Sequence, residues 1–584
     1  MDVFSENMLT LSKYGVILFS LLTLMRCLRS LLSERYESEV WAYVRVNGER
    51  IPVTHWENIL GRGISADVRV YAPGVSRVHA VLARDDSGIW RIHDIFSRGG
   101  VWVNERRAEY AGLPVQNGDT INLAGTKVTF IEPESDKLQR IEQKRTSAGG
   151  AVSPLLTLIW LSLFQLSLLM QHMLSCNAEH VKPIAISFAC VIVLEWLCFS
   201  AIRLFNLSGF ETETLAFYLT TLGLSVAATA TPDDLYKHSI LIIISVVLFL
   251  LLGWWLRNLK RTSVLRVPFA ILALILLAVN VASGTTISGA TNWLSIAGYS
   301  FQPSEFVKIA YVYVGASTLD KLFKKKNLYV FVGFSAVCVL ALALMGDFGT
   351  ALVFFVSFLI ISFMRSGSLA TVVLAVSGAV IAGLMAITVK PYIAQRFATW
   401  GHSWEDIYDT GYQQVRTMSA AAAGGLFGKG AGRGWLKSVV AAKTDMVFGI
   451  ISEELGLIVA FCSVFAVIII AFFAIRSAKH SRSAYHAIAS CASVSILLTQ
   501  LSLNVFGSMD MLPFTGVTFP FISRGGSSLI SCWMMMAFLK SADNRKGGSF
   551  AVRSASSYKR PEAETFDDDE RYIPETEAYR EESN

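Results

Sequence analysis

The chain has 584 residues, of which 53% are hydrophobic and only 16% charged, with a net charge of +6. A soluble protein carries about a quarter charged residues, so a single water-exposed globule is excluded, and the length calls for at least two units. The charge is too mild to indicate nucleic acid as a partner, and the eight cysteines show no CxxC or Cys/His ligand spacing, so they read as packing residues.

In chain order, an apolar run over 14–32, broken by Arg26 and Arg29, is long enough to span a bilayer. It lacks a small-residue cleavage site, so it reads as a retained anchor. Residues 40–133 change character. Short alternating stretches (VWAYVRV, VRVY, VHAVLA, IWRIHD, KVTFI) separated by Gly, Asn and Asp predict a small antiparallel β sandwich. A charged linker, 134–150, ends in SAGG.

From Ser153 onward apolar runs recur at spanning length: 153–173, 183–203, 212–230, 238–256, 266–283, 303–318, 328–345, 347–364, 369–388, 447–475, 484–506 and 520–540. The fold class is therefore a multi-pass α-helical membrane protein carrying a small all-β sandwich. Three basic loops fall on one side: Arg257, Lys260, Arg261 and Arg266; Lys321, Lys324, Lys325 and Lys326; Arg476, Lys479 and Arg482. Excess Lys and Arg marks the cytoplasmic face, which places the β domain and the acidic tail inside. The tail, 541–584, is expected to be disordered.

The same alternation puts Thr285–Gln302, Gly346-Asp347 and Lys390–Lys443 outside. The last segment is too rich in aromatics for a spacer. Its carboxylates (Glu405, Asp406, Asp409) lie near cations (Arg396, Arg416, Lys429, Arg433, Lys437). Cations beside a membrane suit a diphosphate, and a carboxylate suits removing a proton from a sugar hydroxyl. The glycines of GGLFGKGAGRG would let backbone N–H groups approach phosphate oxygens. It is not a P-loop, because Gly430 stands where Ser or Thr should follow Lys429. A solvated, flexible loop is the open alternative. Ionisable residues at span ends (the Glu305/Lys308 pair, Asp347, Glu453, Glu454) face either a polar cavity or one another.

These residues resemble a known family. GATNWLSIAGYSFQPSEFVK, GDFGTA (346–351), DIYDTGYQ, KTDMVFGIISEELG and PFTGVTFPFISRGGSS follow the order of the RodA/FtsW/SpoVE (SEDS) motifs over about 210–540. The resemblance implies a peptidoglycan glycosyltransferase that polymerises lipid II, with the 153–203 spans and the N-terminal anchor as additions. It implies Asp406 as the catalytic carboxylate. It also implies a substrate-binding cavity around Trp293, Glu305, Lys308, Asp347, Thr350, Tyr412, Lys429, Thr444, Asp445, Glu454, Ser523 and Arg524. A class B penicillin-binding transpeptidase partner comes with the resemblance. No cofactor is fixed; a divalent cation, Mg or Mn, is the candidate that would assist the basic residues at the departing diphosphate. The chain departs from the pattern at Asn292 (usually Arg), Ile407 (usually Pro) and Arg524 (usually Tyr).

The β region resembles forkhead-associated (FHA) domains, which bind phosphothreonine proteins, through ILGRG, VSRVHA and GVWVN. That likeness implies phosphate contacts from Arg62 and Ser76 with Arg77 beside them, and His79 as a loop brace. Gly99 stands where the peptide-holding Asn is usual, so a docking module without phosphopeptide binding stays open.

The reading is inverting glycosyl transfer on the outer face, with Asp406 as general base. A flippase for the lipid-linked precursor is the rival, although no inverted repeats are seen. A regulatory scaffold is the third reading. Service in elongation, division or sporulation stays open.

Overall fold

The alternating stretches fold as eleven strands in two packed sheets. The computed structural model describes residues 3–33, 40–63, 66–84, 88–108, 111–133, 150–205, 207–257, 259–287, 290–296, 299–318, 326–366, 369–481, 483–543, 545 and 548. Lys321, Lys324, Lys325, Arg482, most of the linker and the tail from 549 onward lie outside the described residues.

One sheet holds β1 (Ala42–Val46), β2 (Glu49–Val53), β7 (Val101–Val103), β8 (Arg106–Ala108), β10 (Thr120–Leu123) and β11 (Thr126–Ile131) in the order β2-β1-β11-β10-β7-β8. The other holds β3 (Glu57–Gly61), β4 (Val68–Arg69), β5 (Ala80–Arg84), β6 (Trp90–Asp94) and β9 (Leu113–Val115) in the order β4-β3-β5-β6-β9. The period-2 pattern explains the core: Ala42, Val44, Val46, Ile121, Leu123, Val128 and Phe130 all point inward. Asn47 and Gly48 both take positive φ and turn β1 into β2. The sandwich is antiparallel as expected except at β3–β4, which pair in parallel.

The helices are α1 (Val3–Ser33), α2 (Pro154–Ser175), α3 (Ala178–Leu204), α4 (Glu211–Ala230), α5 (Leu235–Trp255), α6 (Leu259–Val264), α7 (Arg266–Ser283), α8 (Pro303–Thr318), α9 (Lys326–Leu344), α10 (Phe348–Ser366) and α11 (Leu369–Val389). After them come α12 (Pro391–Thr399), α13 (Tyr412–Gly424), α14 (Ala442–Asp445), α15 (Val447–Leu455), α16 (Leu457–Lys479), α17 (Ala484–Ser508) and α18 (Gly526–Ser541). Among the described residues ten helices are long and apolar enough to cross a membrane. Helices α4, α8 and α18 are not among those ten: α8 and α18 have 16 residues each, short of a bilayer crossing, and α4 opens on Glu211 and Glu213. Nearly all their side chains are buried in protein, so they carry Thr, Ser, Glu and Lys where a lipid-facing helix needs apolar residues. The expected 447–475 span is two helices, α15 and α16, broken at Gly456 with φ +91°. The expected 520–540 span begins only at Gly526. A short sheet, β12 (Thr285–Ile287), β13 (Ala290–Ile296) and β14 (Tyr299–Phe301), fills the segment between α7 and α8.

At one end of the bundle the β domain meets the helices. Glu57 pairs with Arg365 at 3.8 Å, and His55 Nδ1 lies 3.1 Å from the Ser481 carbonyl. Arg476 donates to the Leu31 carbonyl at the same end. The start of the expected tail is fixed there too, which corrects its boundary. Lys540 pairs with Glu213 at 3.0 Å, and Arg545 bridges Asp543 and Glu211, all buried. A charge network this enclosed persists because each member has an opposite partner.

Candidate functional site

At the opposite end, the turn from α13 to α14 wraps around two carboxylates at the end of α15. Glu453 accepts from the Lys429 ammonium at 2.8 Å and from the Trp435 and Leu436 N–H groups at 3.1 and 3.0 Å. Glu454 accepts from the Gly432 and Gly434 N–H groups at 2.9 and 3.2 Å and from the Thr229 hydroxyl at 2.9 Å. The carbonyls of Glu453 and Glu454 take the Lys429 and Gly430 N–H groups. The glycines permit this closeness: a Cβ at Gly434 would stand 2.7 Å from the Glu453 carboxylate. These N–H groups are therefore already satisfied by the protein's own oxygens. The sequence expectation that they approach phosphate is corrected on that ground. What the loop offers a ligand is its side chains, with Arg433 and Lys437 exposed and Lys429 half-buried.

The neighbouring segments close a ring of contacts. Arg524 pairs with Asp234, and its N–H donates to the Lys443 carbonyl at 2.9 Å. Ser523 donates to the Thr444 carbonyl. Asn504 holds the Asp445 and Val517 carbonyls at 3.2 and 2.8 Å. Burial raises the Asp445 carboxyl to about 7, against the pull of Thr444 and of the Arg396 charge. Asp347 is the N-cap of α10, accepting the Thr350 N–H at 3.0 Å. It also accepts from Asn292 at 3.2 Å and Gln302 at 3.3 Å. Two of the three departures from the family pattern thus serve different carboxylates: Asn292 meets Asp347, and Arg524 meets Asp234. Glu305 and Lys308 form a buried ion pair at 2.8 Å, with Ser531 completing Glu305 at 2.7 Å. Trp293 sits in β13, its carbonyl accepting from Thr285. The Arg416 guanidinium lies over the Tyr412 and Trp435 rings at 5.2 and 5.8 Å.

Asp406 differs from all of these. It is exposed, and the described partners of its carboxylate are the N–H and hydroxyl of Thr410 at 3.3 and 2.9 Å. Its loop is anchored by Asp510, which accepts the Gly401 and Ser403 N–H groups at 3.1 and 3.4 Å. Among the described residues the Asp406 carboxylate makes no bond to the ring above. It has lone pairs to spare for a ligand.

In the β domain, His79 Nδ1 accepts the Ser76 N–H at 3.0 Å and Nε2 lies 3.0 Å from the Gly100 carbonyl. The buried imidazole therefore braces the two loops that flank the expected phosphate position. Arg62 and Arg77 are exposed and Ser76 is half-buried, with the Arg98 N–H 3.4 Å from its hydroxyl. Gly99 has a steric cause: a Cβ there would lie 2.2 Å from the Ala124 Cβ.

Sequence reasoning missed Thr229, Asp234, Asn504 and Asp510. A cluster of charges in the TPDD turn after α4 was the available signal for Asp234. Among the described residues no three His, Cys, Asp or Glu side chains converge as a metal-ligand group.

The FtsW/RodA/SpoVE cell cycle protein family matches residues 214–547, and the FHA domain family matches residues 58–124. The chain is 27% identical over 324 residues to the probable peptidoglycan glycosyltransferase FtsW of Borreliella burgdorferi, covering 54% of this chain and 88% of that one. It is 29% identical over 273 residues to the peptidoglycan glycosyltransferase RodA of Mycobacterium bovis, covering 43% of this chain and only 57% of that one. A chain from a peptidoglycan synthase complex, solved for its coordination of polymerization and crosslinking, superposes with a TM-score of 0.47 at 24% identity, covering 56% of this chain and 96% of that one.

Proposed function

This chain belongs to the FtsW/RodA/SpoVE family and carries an FHA domain, and from that premise we propose that it is a peptidoglycan glycosyltransferase polymerising lipid II. The observation that carries the reading is the contrast at one end of the bundle. The motif carboxylates Asp347 and Glu454 each accept from several internal donors, while the Asp406 carboxylate is exposed with Thr410 as its described partner. A general base needs an open lone pair within reach of the substrate hydroxyl, and Asp406 has one. Asp406 takes the proton of the acceptor sugar hydroxyl as that oxygen attacks the anomeric carbon of the donor, with inversion. The departing undecaprenyl diphosphate gains negative charge, which Lys429, Arg433 and Lys437 offset.

The β domain and the basic Arg257, Arg261, Arg476 and Lys479 share one end of the bundle, which the charge bias assigns to the cytoplasm. The active site is then on the outer face, where cell wall is built. A phosphothreonine protein is the FHA ligand through Arg62 and Ser76, and a class B penicillin-binding transpeptidase is the partner that crosslinks the product. The test is purified full-length protein given lipid II: glycan strands should form without any added transferase. Movement of lipid II across a vesicle membrane with no polymer formed would favour the flippase.

A further inference from the structure

The glycine-rich loop is fixed from two directions, and one of them comes from helices outside the family match. Of the N–H groups from Lys429 to Leu436, those of Ala431 and Arg433 alone are not taken by Glu453 or Glu454. The Arg433 N–H closes a turn on the Gly430 carbonyl. The Ala431 N–H is buried and donates to Gln171 Oε1 of α2 at 2.9 Å. Gln171 is itself only 1% exposed, so water cannot substitute for it. From α1, the Lys13 ammonium donates to the Gly428 carbonyl at 3.1 Å, and the Tyr14 ring meets Phe427 edge-on at 5.8 Å. Helix α1 is in turn tied along its length, by Ser20 to the Tyr218 hydroxyl at 2.6 Å and by Ser30 to Glu211 at 2.7 Å.

We propose that Gln171 and Lys13 are positioning residues for the polymerisation reaction, holding the 428–436 loop so that its cations face the lipid diphosphate. The catalytic half of this proposal rests on the glycosyltransferase reading, whereas the bracing of the loop does not. The N-terminal helices are therefore more than an anchor. They complete a loop that Glu453 and Glu454 leave one acceptor short.

Hydrogen exchange and polymerisation, both on the full-length protein in lipid nanodiscs, separate the two halves. In Gln171→Leu the Ala431 N–H loses its acceptor, so exchange in peptides covering 428–436 should rise about tenfold while α16 peptides stay unchanged. Polymerisation of lipid II should fall about tenfold at saturating substrate, with KM within about twofold, and with the unfolding midpoint retained. Gln171→Glu keeps an acceptor oxygen and should restore both readouts. Lys13→Met, at a less buried position, should show a smaller loss, restored by Lys13→Arg. Unchanged loop exchange in Gln171→Leu would overturn the bracing, as would equal damage from Gln171→Glu. A loosened loop with full polymerisation would overturn the catalytic half. A parent chain that makes no glycan removes the glycosyltransferase reading, and the exchange result still decides the bracing.

Discussion

Two loops in this molecule invite a phosphate, one in the membrane body and one in the β domain, and they are built in opposite ways. The 428–436 loop has the richer glycine and cation content, yet its main-chain donors are occupied by Glu453, Glu454 and Gln171. The FHA loops have fewer such residues, yet Arg62 is exposed and the Ser76 hydroxyl has one long contact, from Arg98 at 3.4 Å. In the first the backbone is scaffold and long side chains reach out. In the second a buried His79 is scaffold, and Arg62 and Arg77 are left exposed on the loops. Composition alone cannot distinguish them, because a glycine that admits a phosphate also admits a neighbouring carboxylate.

The sharpest way to break that contrast is to remove a carboxylate. Glu453→Ala leaves the Trp435 and Leu436 N–H groups without an acceptor inside the protein, a loss of about 2–5 kcal/mol. Lys429, about one-third open to solvent, adds little to that. The unfolding midpoint in micelles should drop and polymerisation should vanish with it. If the loop were an empty phosphate cradle, the variant would stay folded and lose only substrate affinity.

On the FHA side the effect should be on binding alone. Arg62→Ala removes a charge-assisted bond of about 1.5–3 kcal/mol, so titration with a phosphothreonine peptide should weaken more than tenfold with the fold intact. Gly99→Asn, which would supply the usual peptide-holding side chain, should instead destabilise the domain by about 1–3 kcal/mol, because its Cβ collides with Ala124. Improved binding by that variant would show that the two loops can separate.

A smaller effect comes from Asp445. Burial raises its folded pKa from 3.8 to about 7, so between about pH 4 and 7 the native state keeps a proton that the unfolded chain has lost. Stability then falls as pH rises through that window, by at most about 1.4 kcal/mol per unit, and flattens above it. Asp445→Asn should remove this slope in unfolding midpoints measured from pH 5 to 7.

Much of this architecture is legible from residues. Alternation such as Ala42, Val44 and Val46 fixes strand faces, and runs such as 484–506 fix spans, because both periods are local. The motif residues from Trp293 to Arg524 are legible through family resemblance. Their partners are not. Asp234 meets Arg524 and Gln171 meets Ala431 across hundreds of positions, and no local pattern encodes such pairs. The break at Gly456 was hidden because α15 and α16 are both apolar. Likewise Asp543 and Arg545 read as a solvated tail, since Arg545 meets Glu211 only after α4 has folded beside it, and Asp543 is enclosed with it.

The central claim is that Asp406 is open for chemistry while Glu305, Asp347 and Glu454 hold the scaffold. Polymerisation of lipid II by purified Asp406→Asn, beside the parent protein and matched for unfolding midpoint, tests it most directly. The amide keeps the shape and can still accept from Thr410, so the fold should be unchanged and the rate should fall at least about 100-fold. A loss of only a few fold would place the base elsewhere and contradict the account.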